Sequence, residues 1–366
     1  MLVQDNRTLE RELLDFIKRF SGRPSPESEF NALALRVFRH QFENNTFYRR
    51  FCAIVNRSPA NVLSWTQIPA MPASAFKELV LTSFPAKEKV RVFRTTGTSA
   101  GALVADGTTA SGRGAHFFRT LRLYEASIVP AFEANLLPDR PTLSYYFLIN
   151  PPKDAPDSSL SYMMGVVNRR FAGNKGRFYV RKGAPRFDEL LRDLKKERKK
   201  VFLLATAFAL KGFLEHLKRK KARSRLADGS RLMETGGFKG RTKEISKEAL
   251  YRECGQRLGV PTLFCFSEYG MTELSSQYYS RGLGALRGPA WIRTVVVDPR
   301  TGKESSDAGT GILKHVDLAN LGSVMAVQSE DLGKKEGQGF KLLGRAPGSG
   351  LRGCSLDYET LVRSSS

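Results

Sequence analysis

Three stretches of the chain combine residue types suited to gripping a phosphorylated nucleotide. The first, Phe93-Arg94-Thr95-Thr96-Gly97-Thr98-Ser99-Ala100-Gly101, packs hydroxyls and glycines together without a carboxylate. Small residues let a backbone approach a polyphosphate closely, while N–H groups and hydroxyls donate to its oxygens. It does not follow the P-loop pattern, and a flexible Ser/Thr/Gly turn accounts for it equally well. The second, Glu268-Tyr269-Gly270-Met271-Thr272-Glu273-Leu274, follows an apolar run at 263–266. There an aromatic ring suits adenine, a hydroxyl the α-phosphate, and a carboxylate Mg2+, which takes oxygen ligands. The alternative is a helix start, with Thr272 as cap and Glu273 favouring the dipole. The third is Ser329-Glu330-Asp331-Leu332-Gly333, followed by Gly339-Phe340-Lys341-Leu342-Leu343-Gly344-Arg345. An Asp in such a place is ordinarily a turn residue; joined to the other two stretches it is a good acceptor for a ribose diol, with Arg345 nearby.

Single residues add one nucleophile. Cys354 sits in Leu351-Arg352-Gly353-Cys354-Ser355-Leu356, twelve residues from the end of the sequence. A nearby cation favours the reactive thiolate, whose unperturbed pKa is about 8.5, and a mobile tail suits acyl transfer. By position alone an incidental surface cysteine explains it better. Cys52, Cys254 and Cys265 fall in patterned segments and are expected to pack. His40, His116, His216 and His315 show no ligand spacing, so no metal other than Mg2+ is expected.

Those stretches need elements to position them. Apolar residues at Leu13, Leu14, Phe16, Ile17 and Phe20 predict a helix over 9–20, ended by the Ser-Gly-Arg-Pro-Ser-Pro break at 21–26. A second helical pattern runs over 29–55, and Ile-Pro-Ala-Met-Pro at 68–72 is an extended linker. From about residue 90 the pattern changes. Short β-like runs at 90–93, 142–149, 201–205 and 262–266 alternate with helical patterns at 115–127, 187–200 and 208–221. Such alternation predicts a mostly parallel sheet covered on both faces. After Gly288, segments 291–297, 311–316 and 323–327 are predicted strands with Gly-rich turns.

The composition excludes several classes. A chain of 366 residues suggests two domains, or one large domain with appendages, at ~150 residues per domain. With 41% hydrophobic and 26% charged residues it is not a disordered chain. Four dispersed cysteines without a CxxC pair exclude a disulfide scaffold and fit a reducing cytoplasm. The opening residues lack a signal-peptide core, and the apolar run at 201–210 is far below the ~20 residues needed to span a bilayer. No transmembrane segment is expected. The charge stands out: 59 Lys and Arg against 36 Asp and Glu leave +23, concentrated in Lys-Lys-Glu-Arg-Lys-Lys at 195–200 and Lys-Arg-Lys-Lys-Ala-Arg-Ser-Arg at 218–225. Such a field draws nucleic acid, anionic lipid, phosphorylated small molecules or acidic proteins, and the total does not choose among them. A solvated face is the plain alternative.

Taken in order, Thr-Thr-Gly-Thr-Ser at 95–99, Tyr-Gly-Met-Thr-Glu at 269–273, Glu-Asp-Leu-Gly at 330–333 and Gly-Arg at 344–345 resemble the adenylate-forming superfamily of acyl-CoA synthetases, luciferases and peptide-synthetase adenylation domains. Within it, Tyr48-Arg49-Arg50-Phe51-Cys52, Ile68-Pro69-Ala70-Met71-Pro72-Ala73-Ser74-Ala75-Phe76-Lys77 and Glu234-Thr235-Gly236-Gly237-Phe238-Lys239-Gly240 are similar to the acyl-protein synthetase (LuxE-type) family. That family supplies the fatty-acid-activating component of the bacterial luminescence reductase. The resemblance implies two half-reactions: a carboxylate attacks the α-phosphate of ATP to give an acyl-adenylate, and a thiol then takes the acyl group. It implies that Thr95, Thr96, Gly97, Thr98 and Ser99 hold phosphates, and that Thr235, Gly236 and Gly237 line adenine. Tyr269 would stack on adenine beside Gly270, Thr272 would contact phosphate, Glu273 would bind Mg2+, and Asp331 with Arg345 would hold the ribose. The tail resembles the family's acylated-cysteine segment, which makes Cys354 the expected acyl carrier. Ala100 stands where many members have glycine, and no Pro-Lys-Gly follows. Twenty-one residues follow Arg345, so little or no C-terminal lid domain is expected, nor the lysine it would bring. Lys239 or Lys341 would supply that cation, Lys239 being preferred beside the adenine strip, each against a solvated surface lysine.

The expectation is therefore an α/β adenylate-forming large domain, of two βαβ-type sheets and a small distorted barrel. A helical N-terminal segment over 1–90 would lead into an α/β nucleotide- and acyl-binding core over 91–287. A β-rich region over 288–366 would carry the ribose site and the cysteine-bearing tail, with 90–350 forming one compact body. The expected activity is ATP- and Mg2+-dependent activation of a carboxylic acid, a fatty acid by resemblance, with transfer through Cys354 to an acyl-acceptor protein, a reductase or carrier protein, in the cytoplasm. Nucleic acid is not an expected partner. One alternative is a biosynthetic homologue acting on another acid without an acyl-protein. The other is a basic nucleic-acid- or membrane-surface-binding protein with a degenerate nucleotide site.

Overall fold

The computed structural model describes residues 2–95, 112–236, 245–298, 304–305 and 309–346. Along the chain run α1 (Leu2–Arg19), α2 (Glu27–Asn44), α3 (Thr46–Ile54), β1 (Met71–Pro72), α4 (Ala75–Glu78), β2 (Arg91–Arg94), β3 (Ala115–Phe118) and α5 (Arg122–Leu136). There follow β4 (Ser144–Leu148), α6 (Ser159–Phe171), β5 (Arg177–Phe178), β6 (Val180–Arg181), β7 (Ala184–Pro185), α7 (Phe187–Lys196), β8 (Val201–Thr206), α8 (Ala207–Arg219) and β9 (Arg231–Thr235). The last are α9 (Lys247–Leu258), β10 (Cys265–Tyr269), β11 (Tyr278–Arg281), β12 (Ile292–Val297), β13 (Thr310–Asp317), β14 (Ala326–Glu336) and β15 (Gly339–Arg345). They form two compact units, one drawn from 1–131, 271–277 and 287–366, the other from 132–270 and 278–286. Among the described residues no helix is long and apolar enough to cross a membrane.

The second unit is built on a six-stranded sheet in the order β11-β10-β9-β8-β4-β5. Every neighbouring pair is parallel except β10 with β11. Strands β9 and β10 are buried at every residue, and β8 at all but its last, as a sheet covered on both faces requires. One core packs Leu203, Leu232 and Cys265 against Leu210, Phe213 and Leu217 of α8 and Leu250 and Cys254 of α9. Caps set the helix starts. Thr206, the last residue of β8, accepts from the Ala209 N–H at 3.2 Å, and Ser246 accepts from the Ala249 N–H at 3.2 Å. Gly259 ends α9 at φ +70°, where a Cβ would lie 2.9 Å from Arg225 Cγ, so only glycine closes this turn without strain.

The first unit holds a five-stranded sheet in which β14 pairs with β13, β15 and β1, and β12 lies outside β13. Register irregularities between Ile312 and Lys314 and between Leu332 and Gly333 bend it. The helical pattern over 29–55 is two helices. The Asn45 side chain accepts from the Tyr48 N–H at 3.0 Å and starts α3 afresh. Residues 115–127, which the periodicity gave to one helix, divide into β3 and the beginning of α5. Ala115, His116, Phe117 and Phe118 are all buried and pair antiparallel with β2, a use of apolar residues that periodicity alone does not separate from a buried helix turn. Residues 262–264 form a short 3-10 turn, so β10 starts at Cys265, and the strand expected over 323–327 begins at Ala326 and runs to Glu336.

Candidate nucleotide site

In the first unit the chain at 271–277 carries no helix, which removes the helix-start reading of Thr272 and Glu273. It is a turn held by buried polar groups. Asp317, at the end of β13, accepts from the Ser275 N–H (2.9 Å), the Ser276 N–H (2.8 Å), the Ser276 hydroxyl (2.7 Å) and the Ala319 N–H (3.0 Å). Burial pushes its carboxyl up to about 6 against those four donors, so it is ionised at neutral pH. Asn320 Nδ2 donates to the Glu273 carbonyl at 2.8 Å. His116 of β3 meets the Thr272 carbonyl through Nδ1 at 2.9 Å. A carbonyl only accepts, so Nδ1 carries the proton, and burial holds the ring neutral by lowering its pKa to about 4.

The turn delivers the Glu273 side chain to the neighbourhood of Thr95. A Cβ added to Gly114 would lie 3.0 Å from Thr95 Cγ2 and 3.4 Å from Glu273 Oε1, so the glycine marks where the two side chains converge. Thr95 is fixed there by a hydroxyl that accepts from the Gly114 N–H at 2.8 Å and by a carbonyl that accepts from Arg113 Nε at 2.7 Å. Burial raises the Glu273 carboxyl to about 7; Glu330 pushes the same way, and Lys77 and Arg345 oppose it. Asp331 and Arg345 pair across β14 and β15, with Arg345 Nε 3.9 Å from Asp331 Oδ1 and Nη1 3.6 Å from Glu330 Oε2. Thr95, Thr272, Glu273, Asp331 and Arg345 thus belong to one unit, and Glu273 offers there a buried carboxylate oxygen, the donor type a hard divalent cation takes.

The second unit presents another group at the carboxyl ends of its parallel strands, where open α/β sheets bind ligands. Thr206, Thr235 and Glu268 stand in register on β8, β9 and β10. The Thr235 hydroxyl donates to Glu268 Oε2. Burial raises Glu268 to about 7; the Thr235 hydroxyl opposes this and Glu234 adds to it. Glu234 is itself held by the Tyr251 hydroxyl at 3.1 Å and by Lys247, whose Nζ lies 3.6 Å away. Gly236 follows at φ +74°, exposed, and Tyr269 ends β10 with its ring 5.8 Å from that of Tyr278, next to the exposed Gly270. A separate groove of about 680 Å³ opens past the end of β4, between Pro151, Phe178 and Val180 and the cations Lys153 and Arg186. None of the candidate residues lines it.

Thr96, Gly97, Thr98, Ser99, Gly237, Lys239 and Cys354 lie outside the described residues. Lys341 is on β15, paired with Glu336 at 3.0 Å. Cys52, Cys254 and Cys265 are buried, as expected of packing residues. Among the described residues no group of three or more His, Cys, Asp or Glu could hold a metal. Sequence reasoning missed Asp317, His116, Asn320, Lys77 and Gly114. The Asp-x-x-Asn spacing at 317–320, directly after a strand, was the one available signal, because short polar side chains at a strand end commonly organise turns.

No protein-family model matches the chain, and no curated protein sequence matches it. Solved structures do. An open conformation of 2-hydroxyisobutyryl-CoA ligase, in complex with 2-HIB-AMP and CoA, superposes with a TM-score of 0.64 at 15% identity, covering 88% of this chain and 71% of the ligase. The same ligase in its postadenylation state, in complex with 2-HIB-AMP, gives 0.65 at 14% identity over 88% and 69%. Its thioesterification state, with 2-HIB-AMP and CoA, gives 0.62 at 15% over 87% and 69%. At such identities the likeness is one of architecture, and the chain has the mixed α/β fold of the adenylate-forming ligases.

Proposed function

We propose that this protein activates a carboxylic acid with ATP and Mg2+, forming an acyl-adenylate and releasing pyrophosphate. The observation that carries the reading is the convergence of Thr95 and Glu273 around Gly114, within a fold shared with a ligase solved with an acyl-AMP. In this reading Mg2+ is held by Glu273 and by phosphate oxygens, since this ion usually takes one or two carboxylates plus substrate phosphates. When bound there, Mg2+ would supply charge neutralisation on the phosphates. Thr95 and the hydroxyls after it donate to phosphate, Thr272 adds a contact, and Asp331 takes the ribose hydroxyls. The acid is a fatty acid, and the acyl group passes to the Cys354 thiolate and on to an acceptor protein. The transfer balances: sulfur attacks the acyl carbon, the C–O bond to AMP breaks, and AMP leaves as the phosphate anion.

Acid-dependent exchange of pyrophosphate into ATP tests the first half. Glu273→Gln should lower it by at least about 100-fold, because a group that stabilises transition-state charge is lost. Exchange that survives this change, or that no acid elicits, would sink the proposal. Labelled acid with ATP tests the second half: Cys354→Ser should keep exchange and lose protein-bound label. A second reading is favoured by the CoA in the ligase complexes, namely that coenzyme A supplies the thiol. In that case label appears on soluble CoA and the Cys354→Ser change has no effect.

A further inference from the structure

The cationic excess of this chain is gathered at one end of the second unit. Residues 195–230 contain twelve Lys and Arg against three acidic residues. In a βαβ crossover the helix returns the chain to the amino end of the next parallel strand. Helix α8 and the residues after it therefore deliver Lys220, Lys221, Arg223 and Arg225 to the amino ends of β8 and β9, where Lys199 and Lys200 already stand. Two contacts fix this: the Val201 N–H donates to Ser230 Oγ at 2.9 Å, and a Cβ on Gly229 would lie 3.3 Å from Lys200 Nζ. All six cations are exposed. Lys220 pairs with Asp188 of α7 at 3.5 Å and Asp139 stands near Lys200, but the stretch itself keeps an excess of nine positive charges, twelve less three. Of its acidic residues, Glu197, half-buried, accepts from the Tyr146 hydroxyl (3.1 Å) and from the Arg198 and Lys199 N–H groups (2.9 Å each), and Glu215 lies 3.7 Å from Lys211 on α8. Asp228 is the remaining one.

The same end carries exposed apolar side chains. Leu263, in the turn before β10, is 65% exposed, and Leu283, in the turn after β11, is 43% exposed. Because β11 runs antiparallel to β10, its last residues lie beside the first residues of β10. The Gly282 N–H donates to the Cys265 carbonyl at 2.8 Å and Arg281 Nε donates to the Leu263 carbonyl at 2.7 Å. Two protruding leucines beside a cationic rim match what interfacial lipid anchors combine: apolar groups for the acyl boundary and Lys and Arg for anionic headgroups. A nucleic acid backbone would use the charges and leave the leucines idle.

We propose that the amino end of this parallel sheet docks the protein on an anionic lipid surface. The inference stands on the charge and the leucines and does not depend on the acid-activating reading. It is tested with the full-length chain, by sedimentation with vesicles of phosphatidylcholine alone and of phosphatidylcholine with phosphatidylglycerol. Binding should require phosphatidylglycerol and fall steeply with salt. Each cation near the surface strengthens association about fivefold, so Lys199→Glu, Lys221→Glu and Arg223→Glu together should weaken it roughly 100-fold. Leu263→Ser with Leu283→Ser should weaken it about tenfold. Lys199→Arg, Lys221→Arg and Arg223→Lys together, which keep the charge, should bind as the parent does and so separate a charge effect from a folding effect. No binding to the anionic vesicles would overturn the proposal. So would binding indifferent to the leucines, or tighter capture of duplex DNA with the same charge dependence, which would identify a general polyanion site instead.

Discussion

Glu273 is placed where an ionised carboxylate is uncomfortable. Its pKa of about 7 means that the folded chain holds this proton more tightly than the unfolded chain, whose carboxyl titrates near 4.5. The sign follows from linkage: a raised carboxyl costs nothing below the unfolded value, and the cost grows as pH rises through the folded value and then levels off. Glu273→Gln should therefore raise the thermal stability of the ligand-free protein at about pH 8, by roughly 2–3 kcal/mol, and change it little at about pH 5. Melting curves at the two pH values check this, and an equal effect at both would mean that the carboxyl is not strained. Asp317 and Glu268, also raised by burial, contribute pH dependence in the same sense and are untouched by the change. A residue that weakens the empty fold in order to present charge is common in binding sites, where function and stability compete.

At the scale of elements, the turn at 271–277 depends on the end of β13. Asp317 supplies acceptors for three buried N–H groups and a hydroxyl, so Asp317→Ala leaves those donors without partners. A loss of about 3 kcal/mol or more is expected, together with lost nucleotide affinity, because Glu273 is no longer aimed. Urea unfolding checks the first effect; a loss below about 0.5 kcal/mol would show the turn to be held by other contacts. This clamp was hardly visible beforehand. The three nucleotide-type stretches could be found because their residue types cluster locally, and β8 and α8 because their periodicities are clean; β9, over 231–235, was not among the strands read from the pattern. The pairing of His116 with Thr272, or of Asp317 with Ser275, joins residues far apart in sequence, and local patterning carries no sign of it. The misread of 115–127 has a related cause. Ala115-His116-Phe117-Phe118 is apolar on both faces because β3 is buried on both, and that removes the alternation which marks a strand.

For the whole molecule, the two units divide chemistry and charge between them. One holds Glu273, Asp317 and the strand-borne Asp331; the other holds Glu234, Glu268, the parallel sheet and the cationic end. Neither is continuous along the chain, since 271–277 leaves the second unit to complete the first and then returns as β11. This has a consequence for biosynthesis. The second unit has all of its strands once residue 286 is made, whereas the first waits for β15. Until residue 325 is made, Gln41, buried in α2, lacks the Asn320 and Leu321 carbonyls it donates to and the Met325 N–H it accepts from. At ~5–20 residues per second the opening helices leave the ribosome many seconds before their sheet exists. Helix α2 thus waits for partners made much later, and its apolar face is what a holding chaperone would meet on the nascent chain.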